Sequence, residues 1–332
     1  MNTMNHNTNS QLSYITIILT LLFISLFYPN AIAQNYPNKP IKIIIPFPAG
    51  DPIDVITRMI APKLTETLGQ SIIVENIAGG SGSIGITALT KATADGYTIS
   101  AVQTGNLIVL PQTLKSVKYN TLKDIAPIAL VLKNYQGIAA TANAPFNNLK
   151  EMVAYAKANP GKLSLATNGE GGYPHLTFED FRMRANFTYL HIPYKGSVQL
   201  STDLIGGQVQ VGILGFASFI PHIRSGKLKL LGISSSVKVS SWPDAQLTSE
   251  VVPGFSAEGW FGYGAPGGTS PEVIKLLNQA INQAFTDKAI INKLSELNLM
   301  VESQSPAYFE EVILNDFSRY AGIVKASGLQ PQ

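Results

Sequence analysis

The chain has 332 residues, of which 45% are hydrophobic and 14% are charged. This length supports a large core and favours two lobes over one. The net charge is only +3 and no cluster of Lys and Arg interleaves with aromatic residues, which argues against nucleic acid as a partner. Cysteine is absent, and this excludes disulfides, thiol nucleophiles and thiolate metal sites.

Residues 1–33 have the pattern of a secretory signal peptide. An apolar run from Ile15 to Phe27 follows a polar start, and Ala31-Ile32-Ala33 fits a small-residue cleavage site. The run is short for a bilayer span. No Lys or Arg precedes it, so an uncleaved anchor remains the alternative. We expect a secreted protein, cleaved after Ala33.

The first element of the predicted mature chain is a strand that ends at a helix start. Ile43 to Ile45 reads as a buried strand, which breaks at two prolines and a glycine. Asp51 then has the place of an N-cap, Pro52 follows it, and Gly69 closes the helix. In open α/β sheets ligands bind at this strand end, and the positive helix terminus favours an anion.

Strand and helix patterns alternate through the rest of the chain. Strands are predicted at residues 71–74, 97–102, 125–132, 138–141, 163–166, 189–192, 209–214 and 228–234. Helices are predicted at residues 84–91, 149–158, 198–205, 271–285, 289–297 and 306–325, with another from Pro174 and a short one before Gly226.

Two β-α-β blocks stand out, the first around residues 41–102 and the second around 163–234. Such repeats predict parallel sheets covered by helices, here as two similar lobes with a cleft between them. The helical C-terminal part is expected to return to the first lobe. Lobe 1 would then comprise residues 34–138 and 235–332, lobe 2 residues 139–234, and the chain would cross the hinge twice.

The loop from Asn76 to Gly85 contains a G-x-G-x-x-G pattern at Gly80, Gly82 and Gly85. That pattern is typical of dinucleotide sites, but these expect an acid about 20 residues further on. The nearest acid, Asp95, lies in a turn much closer to the motif. The same glycines can expose backbone N–H groups at a helix start, and a carboxylate site is therefore the favoured interpretation.

A third glycine-rich loop runs from Thr167 to His175, with Pro174 at a helix start. Glycine-rich loops often only turn the chain. Three of them after predicted strands nevertheless indicate an anion site of backbone amides and hydroxyls, the hydroxyls being those of Ser81, Ser83, Thr104 and Thr167.

Catalytic patterns are missing from the sequence. His175, His191 and His222 have no metal-ligand spacing, and neither a G-x-S-x-G motif nor a P-loop lysine occurs. A single histidine without a named partner is usually structural. We therefore expect a protein without catalytic residues, metal ligands or cofactor.

Short motifs throughout the chain resemble those of the tripartite tricarboxylate transporter solute-binding proteins, of the TctC or Bug type. The likeness is collinear from Tyr36 to Gly328 and rests on Pro46-Phe47-Pro48-Ala49-Gly50, Gly79 to Gly85, Asp95-Gly96-Tyr97, Pro193-Tyr194-Lys195-Gly196, Asp203 to Val209, Pro221-His222-Ile223 and Gly259-Trp260-Phe261-Gly262.

The resemblance implies a type II periplasmic binding protein fold, which has two α/β lobes, a ligand cleft and a hinge crossed twice. It also implies capture of a small organic acid for a membrane permease, with the carboxylate held by backbone amides and waters of the first two loops. These loops map to Ala49 through Asp54 and Gly79 through Ser83.

The sequence departs from the family pattern at several positions. Asp51 stands where a glycine is usual, Ile53 where a small or hydroxyl residue is usual, and Glu170 in a usually neutral run; Gln210 and Gly215 stand where acids are frequent. Asp51 has a simple explanation as an N-cap, and Glu170 as a solvated residue. The alternative hypothesis is that one of them pairs with an amino group on the ligand.

We therefore predict a non-enzymatic periplasmic solute-binding protein that delivers a small carboxylated or amino-acid-like ligand to permease subunits. A periplasmic sensor or docking module on the same fold is one alternative, and a secreted NAD-dependent enzyme is another. The predicted ligand-binding residues are Phe47, Ala49, Gly50, Asp51, Ile53, Asp54, Gly79, Gly80, Ser81, Gly82, Ser83, Thr104, Thr167, Asn168, Glu170 and Tyr194.

Overall fold

The computed structural model describes residues 36–194, 196–239, 241–296 and 299–329. The predicted signal peptide lies outside these ranges. Within them, no helix combines the length and the apolar character that crossing a bilayer requires.

Strands and helices alternate along the described chain. The strands are β1 Ile41–Ile45, β2 Ile72–Asn76, β3 Thr98–Gln103, β4 Ile125–Thr141, β5 Ser164–Thr167, β6 Leu190–Pro193, β7 Val211–Gly215, β8 Leu228–Ile233, β9 Glu258–Pro266 and β10 Met300–Val301. The helices are α1 Pro52–Leu68, α2 Ser83–Thr90, α3 Leu110–Thr113, α4 Thr121–Asp124, α5 Leu149–Ala158, α6 Tyr173–Ala185, α7 Ser197–Ile205, α8 Ile220–Arg224, α9 Pro271–Ala284, α10 Lys288–Glu296 and α11 Pro306–Ser327.

The first β-α-β block forms as predicted. β1 pairs in parallel with β2 on one side and with β3 on the other, so the carboxyl ends of these strands lie along one edge of the sheet. Helix α1 begins at an Asp51 N-cap and ends at Gly69 in the left-handed conformation, as its sequence signals indicate. It buries Ile53, Ile56 and Ile60 toward the core.

The second block also forms, with β5 parallel to β6 and to β7. Its core is an aromatic cluster in which Phe178 and Phe181 of α6 pack edge-on against Phe187 and Phe255. The parallel pairing again aligns the ends of β5 and β6, and it sets the third glycine-rich loop after β5 at one edge of this half of the sheet.

Between the two blocks the sheet is antiparallel, which the sequence interpretation did not anticipate. Residues 125–132 and 138–141, predicted as two strands, belong to one continuous strand, β4. Its first part pairs with β9 and its last part with β7 and β8. Residues Lys133 to Gly137, between the two predicted strands, are mostly polar and therefore look like a break between strands. In the structure they pair with the neighbouring strands.

The strand β9 was missed, and with it the antiparallel contacts to β3 and β4. Gly259, Gly262 and Gly264 make its sequence look like a loop. They are required by close packing: a Cβ at Gly262 would lie 2.6 Å from the carbonyl oxygen of Ala129 and 2.6 Å from Cζ of Phe309. The prediction of parallel sheets was therefore wrong for the centre of the sheet, where β9 is antiparallel to β3 and β4.

The C-terminal helices pack on both sides of this centre. α9 contacts β4 and α1, whereas α11 contacts β4 and α6. Trp260 of β9 packs edge-on against Phe309 of α11, and its indole N–H donates to Asp316 at 2.8 Å. This packing fixes α11 against β9 in the centre of the sheet.

Candidate functional site

The loop between β1 and α1, residues 46–51 (loop 1), folds back on itself. Gly50 has φ +86°, a conformation that glycine adopts without strain. Asp51 Oδ1 accepts the N–H of Ile53 at 3.1 Å, which is the N-cap bond predicted from the sequence. Ala49 and Gly50 are exposed, whereas Ile53 is buried in the core.

Asp54 is the anchor of loop 1. Its carboxylate is only 2% exposed and accepts hydrogen bonds from the N–H of Gly50 at 2.9 Å, Nδ2 of Asn76 at 2.9 Å and Nε of Arg58 at 3.0 Å. Burial acts to raise the pKa of Asp54, but these hydrogen bonds and the Arg58 charge outweigh it and hold the pKa below its ordinary value. The Asp54 carboxylate therefore faces loop 1 and stabilises it.

Asn76, the last residue of β2, joins loop 1 to the second loop. Its Nδ2 also donates to the carbonyl oxygen of Phe47 at 3.1 Å, and its Oδ1 accepts from Arg58 at 2.7 Å. One amide therefore fixes the ends of two adjacent strands relative to each other.

Asp51 lies in a different environment from Asp54. Burial raises its pKa to about 6; the bond from Ile53 opposes the rise, and the neighbouring Asp54 charge adds to it. Asp51 is half-buried. Near pH 6 it is therefore partly protonated, whereas Asp54 in the first turn of α1 is ionised.

The loop between β2 and α2, residues 77–82 (loop 2), is built from left-handed residues. Positive φ values occur at Gly79, Gly80 and Gly82, and also at Ser81, which is not a glycine. In the part of the chain that the structure describes, the N–H groups of Gly80 and Ser81 have no protein acceptor. Both residues are exposed, so these donors are available to a ligand.

The last glycine of the G-x-G-x-x-G pattern serves packing. A Cβ at Gly85 would lie 2.8 Å from the carbonyl oxygen of Ile77 and 2.8 Å from Cα of Pro46, so only glycine lets α2 sit this close to both loops. Gly82 is buried, and a Cβ there would lie 3.1 Å from Cζ of Phe47. Loops 1 and 2 are therefore in contact.

The segment after β3 contributes differently from the prediction. Thr104 is 2% exposed, and its Oγ1 accepts the backbone N–H of Trp260 at 3.0 Å, a bond that ties β9 to β3. The next residues, Gly105–Val109, form a π-helical turn, a feature that is frequent at functional sites. Asn106 in this turn lies against Gly82. The sequence interpretation missed it, although Asn106 follows the end of β3 by only three residues.

The loop between β5 and α6, residues 168–172 (loop 3), is held by a threonine and two histidines. Thr167 is fully buried, and its hydroxyl donates to the carbonyl oxygen of Gly169 at 2.9 Å while Nε2 of His191 lies 2.7 Å away. Since the hydroxyl has one proton, His191 must donate to it. Nδ1 of His175 accepts the N–H of Gly171 at 2.9 Å.

The two histidines stack with ring centroids 3.8 Å apart and an interplanar angle of 14°. Burial, with a smaller contribution from the neighbouring His191, lowers the pKa of His175 to about 4, and Glu179 and Glu170 oppose this shift. Burial likewise lowers the pKa of His191. Both rings are neutral at neutral pH, and they serve as hydrogen-bonding supports of loop 3.

Of the remaining predicted residues, Ser83 begins α2, and the others lie in or near loop 3. Asn168 and Glu170 are exposed, and the Tyr194 hydroxyl donates to Asp203 at 2.9 Å. Loop 3 also reaches the first half of the sheet, because a Cβ at Gly171 would lie 3.2 Å from Cβ of Thr113. The structure thus joins loop 1, loop 2 and the π turn in one cluster, with loop 3 beside α3.

This cluster offers hydrogen-bond donors, namely the backbone N–H groups of Gly80 and Ser81 in loop 2 and the Asn106 amide. Among the described residues, no group of three His, Cys, Asp or Glu side chains could hold a metal ion. Thr167, the hydroxyl nearest a histidine, already donates to a carbonyl and is not an activated nucleophile. The chemistry that the arrangement supports is recognition of an oxyanion.

Comparisons with known proteins give the same fold. The chain is 35% identical over 298 residues to protein BugT of Bordetella pertussis, a match that covers 89% of this chain and 91% of the relative. The structure of the periplasmic binding protein BugD has a TM-score of 0.77 and 30% identity, covering 90% of this chain and all of the other. Rpa4515 of R. palustris, solved with adipate, has a TM-score of 0.81 and 25% identity over 90% of this chain and 100% of that one.

The predicted fold class, a type II periplasmic binding protein fold with two α/β lobes, a ligand cleft and a double-crossing hinge, is confirmed by these structures. A sequence model of the TctC family, described as the tripartite tricarboxylate transporter family receptor, matches residues 56–329. The chain therefore belongs to the TctC family of tripartite tricarboxylate transporter receptors, the family that its motifs resemble.

Proposed function

We propose that this protein is a periplasmic solute-binding protein that captures a small carboxylated metabolite and delivers it to a tripartite tricarboxylate-type transporter. One observation carries the proposal. Loops 1 and 2 are held together by Asp54 and Asn76, and loop 2 presents the N–H groups of Gly80 and Ser81, which have no acceptor among the described residues. A preformed cluster of donors at the carboxyl ends of parallel strands suits an oxyanion.

The energetics are adequate for capture at metabolite concentrations. A micromolar Kd corresponds to about −8 kcal/mol. Hydrogen bonds to a charged group contribute about 1.5–3 kcal/mol each, so a few of them suffice after the cost of ordering the ligand. The adipate with which the relative Rpa4515 was solved is a small dicarboxylate, and it supports this ligand class.

In this proposal two lobes with the predicted boundaries close on the ligand. Lobe 1 comprises residues 34–138 and 235–332, and lobe 2 comprises residues 139–234. The crossings are β4 and the segment after β8. They lie side by side, since the N–H of Ser234 donates to the carbonyl oxygen of Gln136 at 2.9 Å and the N–H of Ala257 donates to that of Ser234 at 3.1 Å. Paired backbone strands of this kind suit a hinge.

The ligand-binding residues that we propose are those predicted from the sequence, except for Ile53, Asp54, Thr104 and Thr167, whose side chains are buried and held by other parts of the protein. Asp54 positions loop 1 and contacts no ligand, because its oxygens are occupied by Gly50, Asn76 and Arg58. Asp51 in loop 1 and Glu170 in loop 3 are the other acids among the predicted residues. A ligand that carries an amino group beside its carboxylate would satisfy them better than a simple dicarboxylate.

Delivery to permease subunits and a periplasmic location follow from family membership and from the signal-peptide pattern of residues 1–33. A pull-down from membranes that express the permease tests the transporter assignment. Recovery of a sensor kinase in place of the permease would favour the alternative of a sensory module.

The experiment for the main proposal is a thermal-shift screen of the mature protein against adipate, succinate, L-aspartate, aromatic acids and NAD. We expect stabilisation by at least one acid and none by NAD. Comparison of succinate with aspartate, which differ only in the amino group, tests the role of Asp51 and Glu170. Stabilisation by NAD alone would overturn the proposal in favour of an NAD-dependent enzyme.

The variant Gly82→Asp locates the site. It adds a negative side chain between Phe47 and Asn106, so we expect affinity for the acid to fall by at least about tenfold. Gly268→Asp is the matched control, because Gly268 also has a positive φ but lies in open space after β9. Equal loss of affinity in both variants would mean that the loss reflects backbone strain and not the site.

A further inference from the structure

Asn106 has a buried side-chain amide of which only the oxygen is hydrogen-bonded to a described residue. Its exposed fraction is 0%, and its Oδ1 accepts the N–H of Gln103 at 3.0 Å. Its carbonyl oxygen accepts the hydroxyl of Tyr119. Its Nδ2, in contrast, has no acceptor among the residues that the structure describes. Buried amide donors are nearly always paired, so this one requires an explanation.

The orientation of the amide is fixed by its surroundings. If the two ends of the side chain were exchanged, the N–H of Gln103 would face an NH₂ group and lose its acceptor. Oδ1 therefore points to β3, and the unused end of the amide is a donor.

The donor is directed at the contact between loops 1 and 2. A Cβ at Gly82 would lie 3.1 Å from Nδ2 of Asn106 and 3.1 Å from Cζ of Phe47, so all three groups meet at one point. Gly82 leaves room there that any side chain would fill. The half-buried Phe47 ring is the part of this contact that can move, since a side-chain rotation requires no change in the backbone.

We propose that Nδ2 of Asn106 donates a hydrogen bond to the carboxylate of the bound acid, and that the Phe47 ring turns aside to admit it. The inference rests on the proposed function and adds the strand β3 to the loops that recognise the ligand. The acid supplies the acceptor that the protein lacks, which makes the site selective for an oxyanion over a neutral analogue of the same shape.

The variant Asn106→Asp tests the proposal with adipate, succinate and L-aspartate as probes in calorimetry at about pH 5 and about pH 8. A buried carboxyl is protonated at the lower pH and can still donate, whereas at the higher pH it is ionised and repels the ligand. We expect the affinity to stay near the wild-type value at the lower pH and to be about 10- to 100-fold weaker at the higher one.

Affinities are compared as the ratio of variant to wild type at each pH, because other groups near the turn titrate as well. Asp51 ends loop 1 and Asp54 lies in the first turn of α1, and burial raises the pKa of Tyr119 so that this phenol stays neutral. Gln112→Glu is the matched control: it makes the same amide-to-acid change in α3, where Nε2 already donates to Ile108 at 2.8 Å. We expect its ratio to be independent of pH.

A second measurement on the wild-type protein covers the case in which Asn106→Asp does not fold. The ¹⁵N-labelled side-chain amide of Asn106 should shift strongly when the acid binds, whereas that of Gln112 should not. An Asn106 signal that is unchanged at saturation, or a variant that binds as the wild type does at the higher pH, overturns the inference alone. A wild-type protein that binds none of the three acids overturns the proposed function with it.

Discussion

Two carboxyl groups at the start of one helix have opposite properties. Asp54 is ionised and surrounded by donors, whereas Asp51 has one backbone bond and a pKa raised to about 6 by burial. The N-cap role of Asp51 could be predicted from the residues that follow it. The hydrogen bonds of Asp54 could not be predicted, because Asn76 is distant in sequence and reaches Asp54 only when β1 and β2 pair.

The raised pKa of Asp51 makes stability dependent on pH. Its ordinary pKa of 3.8 applies to the unfolded chain, so the contribution of the neutral form is fully present below about pH 3.8 and is lost as the pH rises through about 6. Asp51→Asn keeps a competent cap without this titration. We expect wild type to lose about 1–2 kcal/mol of unfolding free energy relative to this variant between about pH 4 and pH 7.5, after allowance for solvent screening.

Urea unfolding of the two proteins across this range measures the difference. Titrating groups that do not interact with Asp51 cancel in it, whereas the neighbouring Asp54 contributes to it. A difference that does not change with pH would show that Asp51 titrates normally and that its burial in the folded protein has no electrostatic consequence.

At the scale of elements, local signals were sufficient where the sequence carries a cap or a regular period. Helix α1 begins and ends where Asp51 and Gly69 indicate. The failures concern β4 and β9, whose polar and glycine residues are explained only by partners distant in the chain. The same holds for the candidate site. Its glycine-rich loops could be predicted from the sequence, but the role of Asn106 could not, because only the π turn brings this residue to Gly82.

The glycines of β9 give a direct test of this interpretation. Gly262→Ala would force Cβ to within 2.6 Å of the backbone of β4, and we expect it to destabilise the protein by about 1–3 kcal/mol. Gly322→Ala in α11 is the control, since a Cβ there meets nothing within 4 Å. That change should stabilise the protein by about 0.5–1 kcal/mol through helix propensity. Equal effects of the two variants in chemical unfolding would contradict the close packing of β9.

At the scale of the whole molecule, both halves of the sheet share β4, and the return crossing runs beside it. The glycine-rich loops on each half thus depend on the same short backbone segment for their relative position. A ligand held by loops 1 and 2 on one half and by loop 3 on the other would favour a closed arrangement in proportion to its preference for that state.

The most direct test of this account is small-angle X-ray scattering of the mature protein, with and without a saturating amount of the acid that gives the largest thermal shift. We predict a smaller radius of gyration with the acid, and no change for Gly82→Asp under the same conditions. A radius of gyration that stays constant for the wild type at saturation would contradict the claim that two lobes close on a carboxylate.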